Sequence, residues 1–170
     1  NKSERSKKEI GGKCYGKLLR IDDRLIHGQV AYGWTQALGV SVILIVNDDV
    51  AGNEMRKVAY NVGKPAGCKL YFRDVKEGVE AVKKLEASNH KCLVLVDNVK
   101  DALTLVKESG CIRTVNLGGQ RMADGKRFIT TLVAVDDSDI AMLKEIEAAG
   151  TEVEVRKLPS ETKRRLEELI

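Results

Sequence analysis

Two stretches of this chain are apolar for too long to be strands with a wet face. Val40 to Val46 reads Val-Ser-Val-Ile-Leu-Ile-Val, and Cys92 to Val96 reads Cys-Leu-Val-Leu-Val. A strand with one solvated face alternates; an unbroken run marks a strand covered on both faces, as in a parallel sheet. Segments of helical spacing separate the strand patterns. Val30, Trp34, Ala37 and Leu38 precede Gly39, and Met55, Val58, Ala59 and Val62 line one face of a second helix, broken by Gly63, Pro65 and Gly67. Val75, Val79, Val82 and Leu85 mark a third, and Val99, Leu103 and Val106 mark a fourth that Gly110 ends. Asp136-Asp137-Ser138 caps a fifth with Ile140, Leu143 and Ile146 inward, ended by Gly150. Further strands are predicted at Leu18–Ile21, Lys69–Phe72, Cys111–Leu117 and Phe128–Val135. Val153, Val155 and Leu158 alternate with charged residues, which predicts an edge strand, and Pro159 opens a last helix. Strands alternating with helices give a single-domain α/β fold. The sheet is mostly parallel and open, with helices on both faces and an edge strand near the C-terminus.

Charge decides what the domain does not bind. Residues 1–17 hold six basic and two acidic side chains, which is the whole net charge of +4. Residues 18–170 are therefore balanced, and a general nucleic-acid footprint is lacking. The first 17 residues have almost no apolar content and read as a disordered basic tail, either the end of an interdomain linker or a remnant of expression. No apolar run approaches the roughly 20 residues of a membrane helix, and no secretory signal is present, so a cytoplasmic protein is expected. The four cysteines form no C-x-x-C pair and stand at no ligand spacing from either histidine; no metal and no cofactor are expected.

Polar chemistry concentrates between the first strand and the first helix. Arg20-Ile-Asp-Asp-Arg-Leu-Ile-His-Gly-Gln-Val30 holds two carboxylates, two guanidinium groups, one of the two histidines, a glycine and an amide. Imidazole, with an ordinary pKa of about 6.5, is a neutral nucleophile near pH 7. A carboxylate bonded to one ring nitrogen fixes the tautomer and frees the other nitrogen. Guanidinium binds phosphate oxygens bidentately, and Gly28 lets backbone N–H groups at a helix start approach an anion. A polar strand-to-helix loop with a surface histidine is the plain alternative. Asn47 at the end of the second strand and Asn116-Leu-Gly-Gly119 at the end of the fifth would converge on the same sheet edge. Asn and Asp at 47–49 also suit a helix N-cap.

Asp22-Asp-Arg-Leu-Ile-His-Gly-Gln-Val30 resembles the active-site signature of the IIB component of the mannose/fructose/sorbose family of the bacterial sugar phosphotransferase system. The resemblance runs from about Leu18 to Ile170 and includes Trp34, Val46-Asn-Asp-Asp49, Asp101-Ala-Leu103 and Asn116-Leu-Gly-Gly119. Gln120 departs from the family pattern, in which methionine usually follows the glycines.

The resemblance implies a phosphotransferase. His27 would accept a phosphoryl group from a phosphohistidine on a IIA partner and pass it to a sugar crossing the membrane through IIC and IID components. Arg24 would stabilise phosphoryl charge, and Asp22 or Asp23 would orient the imidazole, with Asp22 favoured. Asp23, Gly28, Gln29, Asn47, Asn116, Gly118 and Gly119 would bind phosphate or substrate. The protein would associate peripherally with its permease, and a homo-oligomer is left open. Arg20 and Arg24 would form a local basic patch for an acidic partner. The alternative function is a small-molecule- or nucleotide-binding regulatory α/β domain. Against it, neither G-x-G-x-x-G after the first strand nor a P-loop motif occurs.

Overall fold

In the computed structural model, which describes residues 17–170, seven strands form one sheet in the order β3-β2-β4-β1-β5-β8-β9. These are β1 (Lys17–Asp22), β2 (Val42–Val46), β3 (Lys69–Arg73), β4 (Cys92–Val96), β5 (Thr114–Gly119), β8 (Glu152–Val155) and β9 (Arg164–Arg165). All neighbours are parallel except β8 and β9. The helices are α1 (Gly28–Leu38), α2 (Asp48–Ala51), α3 (Glu54–Gly63), α4 (Val75–Ala87), α5 (Val99–Ser109) and α6 (Asp137–Ala148). The disordered tail expected at the N-terminus falls on residues outside those described, save Lys17, which opens β1.

Every residue of β2 and β4 is buried, as their unbroken apolar runs require. Side chains alternate between the faces. Leu44, Val46, Val94 and Val96 join α4, α5 and α6 in one core, whereas Ile43, Ile45, Leu93 and Leu95 pack against Val30, Ala31 and Trp34 of α1 in the other. Each such aliphatic side chain contributes about 1.5–3 kcal/mol by leaving water.

Four expectations change. Phe128–Val135 is not one strand: β6 (Arg127–Thr130) and β7 (Val133–Val135) form an antiparallel hairpin, a second small sheet. The edge of the main sheet is the two-residue β9, so β8 lies one place in, and Glu154 is buried rather than solvated. No helix follows Pro159. Glu161 accepts the N–H groups of Lys157 and Leu158, both at 2.8 Å, and holds a turn. Arg164 and Arg165 then pair with β8, and Leu166 is buried at the start of a short 3-10 turn, Leu166–Glu168. Lastly, the apolar stripe of α3 points outward, and that helix buries none of its residues.

Candidate active site

β1 lies between β4 and β5, and its carboxyl end carries the polar motif. Period-two alternation sends Leu19 and Ile21 into the α4–α6 core and turns Arg20 and Asp22 towards α1. Both charged residues are buried, Asp22 at 0% exposure and Arg20 at 2%. Arg20 Nη2 donates to Asp22 Oδ2 at 2.9 Å, and Nη1 donates to Asn116 Oδ1. The same guanidinium lies 5.6 Å from the Trp34 ring centroid, and that of Arg156 lies 5.1 Å from it. Trp34, 1% exposed, donates Nε1–H to the Lys157 carbonyl at 2.9 Å, so it is a core anchor beneath the site. Burial lowers the Arg20 pKa and Asp22 offsets part of that; a guanidinium stays charged regardless.

His27 Nε2 lies 2.8 Å from Asp22 Oδ2, and the Arg24 backbone N–H donates to Oδ1 at 3.0 Å. Burial pushes the Asp22 carboxyl up. The His27 hydrogen bond, the Arg20 charge and the Arg24 N–H outweigh it and hold the pKa below the ordinary carboxylate value. An ionised carboxylate only accepts hydrogen bonds, so in the neutral imidazole this contact selects the tautomer with the proton on Nε2 and the lone pair on Nδ1. The imidazole is 20% exposed and the Arg24 side chain 43%. Between Asp22 and Asp23 the two carboxylates are thus distinguished: Asp22 holds the imidazole. Asp23 accepts the Arg121 N–H at 2.8 Å and donates its own N–H to the Gly119 carbonyl, which ties the loop to the end of β5.

The loop closes with Leu25 at φ 57°, a left-handed conformation that costs a β-carbon residue roughly 1–3 kcal/mol. Burial of the Leu25 side chain, 2% exposed, offsets that strain. His27 then caps α1 in extended conformation, and Gly28 turns the chain into the helix at φ 44°, which glycine adopts freely. The other five α-helices begin with Asn47, Asn53, Asp74, Asn98 or Asp136, whose side chains accept first-turn N–H groups. α1 has no side-chain cap and no acidic residue in its first turn. Its unpaired donors and positive dipole end are left at the imidazole. Gln29 is exposed in that first turn.

Several residues expected to touch ligand stand behind the site instead. Asn116 is 0% exposed; besides accepting from Arg20 it donates to Glu154 Oε1 at 3.3 Å and to the Arg156 carbonyl at 3.2 Å. Gly118 leaves the space that Arg20 fills, since a Cβ there would meet its guanidinium at 2.1 Å. Gly119 packs beside Asp22. Asn47, 4% exposed, caps α2 by accepting the N–H groups of Asp49 and Val50. Strand registers place it level with Asp22 but two strands away, about 10 Å. Gln120 is buried and its Nε2 donates to the Asp97 and Gly119 carbonyls, both at 2.9 Å. Arg20 belongs to no docking patch because it is buried. Its sign in the sequence is a charge inside an apolar strand, two residues before an acid on the same face.

Beside Arg24, between the motif loop and the β6–β7 hairpin, lies a depression of about 300 Å³ that Arg121, Met122 and Phe128 also line. A larger groove of about 1410 Å³ follows α4 and holds none of the motif residues.

This arrangement can be set beside known proteins. A family model described as "PTS system sorbose subfamily IIB component" matches residues 16–170. The chain is 37% identical over 153 residues to the mannose-specific EIIAB component of Escherichia coli K12, covering 90% of this chain. It spans about half of that protein, 47% of its length. It is 33% identical to the sorbose-specific EIIB component of Klebsiella pneumoniae, over 85% of this chain and 88% of that one. The crystal structure of the IIBSor domain of the sorbose permease from K. pneumoniae superposes with a TM-score of 0.82 at 31% identity, covering 89% of this chain and 93% of that chain. An N-acetylgalactosamine-specific IIB component from E. coli gives 0.78 at 27% identity, over 88% and 97%. These matches do not favour a nucleotide-binding regulatory domain. From motif, fold and relatives together, the chain belongs to the sorbose-subfamily IIB components of the mannose/fructose/sorbose family in the sugar phosphotransferase system.

Proposed function

We propose that this domain is a phosphocarrier in sugar uptake and that His27 Nδ1 is the atom that carries the phosphoryl group. The observation that supports this most is the 2.8 Å contact between Nε2 and an ionised, buried Asp22. It commits one ring nitrogen to the protein and leaves the other for attack. In the first transfer the N–P bond of a donor phosphohistidine on a IIA partner breaks as the Nδ1–P bond forms. His27 becomes a phosphoimidazolium whose Nε2 proton stays on Nε2, facing the Asp22 carboxylate. In the second, a sugar hydroxyl attacks phosphorus, its proton passes to a base on the acceptor side, and the imidazole departs neutral. Arg24 and the first-turn N–H groups of α1 offset the charge of the oxygens in transit. The acceptor sugar is presented by a membrane permease of IIC and IID components, and the domain works on its cytoplasmic side. Among the described residues no helix is long and apolar enough to cross a membrane.

Intact mass after incubation with the general phosphotransferase proteins, a IIA component of this family and phosphoenolpyruvate tests the reading. Wild type should gain one phosphoryl mass that mild acid removes, and His27→Gln should gain none while keeping its fold. A normal gain in His27→Gln, or an acid-stable one in both, would overturn it.

A further inference from the structure

Arg20, Asn116 and Glu154 stand in one rung of the sheet. β1 pairs with β5 so that Arg20 is level with Asn116, and β5 pairs with β8 so that Asn116 is level with Glu154. The rungs on either side, Leu19–Val115–Val153 and Ile21–Leu117–Val155, are wholly apolar and lie in the α4–α6 core. All three side chains of the polar rung are buried. A buried charged rung is in general no better for stability than an apolar one of the same volume. This one also leaves Arg20 Nε without a hydrogen-bond partner among the described residues. An arrangement that stability does not require calls for another use.

Donor and acceptor roles run one way along the rung. Glu154 Oε1 faces Asn116 Nδ2 at 3.3 Å, and the Arg156 carbonyl, which can only accept, faces it at 3.2 Å. Glu154 is itself met by the Arg156 guanidinium, with Nε and Nη2 each 3.3 Å from a carboxylate oxygen. The Asn116 amide is thereby turned with Oδ1 towards β1, where Arg20 Nη1 donates to it. Arg20 Nη2 donates to Asp22 Oδ2, the same oxygen that meets His27 Nε2. With Nε unpartnered, side chains hold the guanidinium at two points, Asn116 and Asp22. Its remaining bond, from Nη1 to the Arg156 carbonyl, is long at 3.4 Å.

We propose that Asn116 is a positioning residue for phosphoryl transfer, acting through Arg20 and Asp22 to keep His27 Nδ1 free for attack, a role that rests on His27 being the phosphoryl acceptor. Asn116 is fully buried and touches no ligand. Without its amide, Arg20 keeps one side-chain anchor and turns towards the Arg156 carbonyl. Asp22 then loses the partner that fixes Oδ2, and the imidazole samples the second tautomer, in which the proton sits on the attacking nitrogen.

Nitrogen-15 NMR and steady-state kinetics with a phosphorylated IIA donor test this. In wild type, the neutral His27 ring should be one tautomer, protonated at Nε2. The Arg20 Nη1 and Nη2 protons should give separate signals, because each nitrogen has its own partner; that measurement needs no variant. Asn116→Ala should bring in the second tautomer and lower kcat for phosphoryl acceptance by about ten- to a hundredfold, with KM for the donor unchanged. Leu117→Val, on the same strand but facing the other core, controls for a merely structural role. It should cost stability and move neither the tautomer nor kcat. Averaged Arg20 signals in wild type, a wild-type tautomer and kcat in Asn116→Ala, or an equal loss in Leu117→Val would overturn the proposal. A wild type that takes no phosphate from a IIA donor would overturn the phosphocarrier function and this role together, whereas a phosphorylated wild type with an unaltered Asn116→Ala would overturn this role alone.

Discussion

Replacing Gly118 by alanine separates a packing requirement from a backbone one. Gly118 has no left-handed backbone angle, and in a strand interior alanine is ordinarily the better residue by roughly 0.5–1 kcal/mol. Here its Cβ would lie 2.1 Å from Arg20 Nη1, 2.2 Å from Cζ and 2.4 Å from Nη2, whereas ordinary contact begins at 3.4 Å. The guanidinium must retreat by at least about 1 Å, which stretches its 2.9 Å bond to Asp22 past the useful range. Breaking a buried ion pair costs about 3–5 kcal/mol, against a total domain stability of roughly 5–15 kcal/mol. With a urea slope of about 2 kcal/mol/M, the unfolding midpoint should fall by about 2 M. Trp34, the sole tryptophan, reports unfolding by fluorescence. Gly119→Ala is the control: its Cβ meets Asp22 Oδ1 at 3.1 Å and asks for a few tenths of an ångström, so the midpoint should move far less. In an Arg20→Ala background Gly118→Ala should cost nothing further. A midpoint within about 0.3 M of wild type, or an equal loss without the Arg20 side chain, would refute the reasoning.

Asp22 gives a pH signature. Its folded pKa lies below the unfolded value of about 3.9, so its stabilisation is complete above about pH 4 and is lost as pH falls through the folded value. The stability gap between wild type and Asp22→Asn, measured by urea unfolding, should therefore narrow below about pH 4; a gap that widens contradicts the ionised, paired carboxylate. Asn47→Ala removes the acceptor of two N–H groups and should cost about 1 kcal/mol while phosphoryl acceptance stays unchanged. A folded Asn47→Ala that no longer takes up phosphate would move Asn47 into the site.

What could be read from the sequence was local. The apolar runs of β2 and β4, the Asn and Asp caps, and Gly39 and Gly110 as left-handed helix stops announce themselves within a few residues. Losses came where the partner is distant. Arg20 looks like a surface charge until Asn116, 96 residues on, supplies its acceptor. Glu154 looks solvated until Asn116 and Arg156 bury it in the same network. The β6–β7 turn at Thr131-Leu132 carries no Gly, Asn or Pro signal, so the hairpin read as one strand. Periodicity found the stripe of α3 but says nothing about which way a stripe points. In the motif, residue types named the chemistry, and only the fold could say which of two adjacent aspartates meets the imidazole.

β1 is bonded on one side to β4 and on the other to β5, at the middle of the sheet. Amides in such a strand exchange with solvent only when the whole domain opens. The motif loop therefore grows from a strand paired on both sides, not from a fraying margin. If His27 carries the phosphoryl group as proposed, thermal loss of phosphoryl acceptance should coincide with global unfolding rather than precede it, and acceptance should then count the folded molecules in a sample.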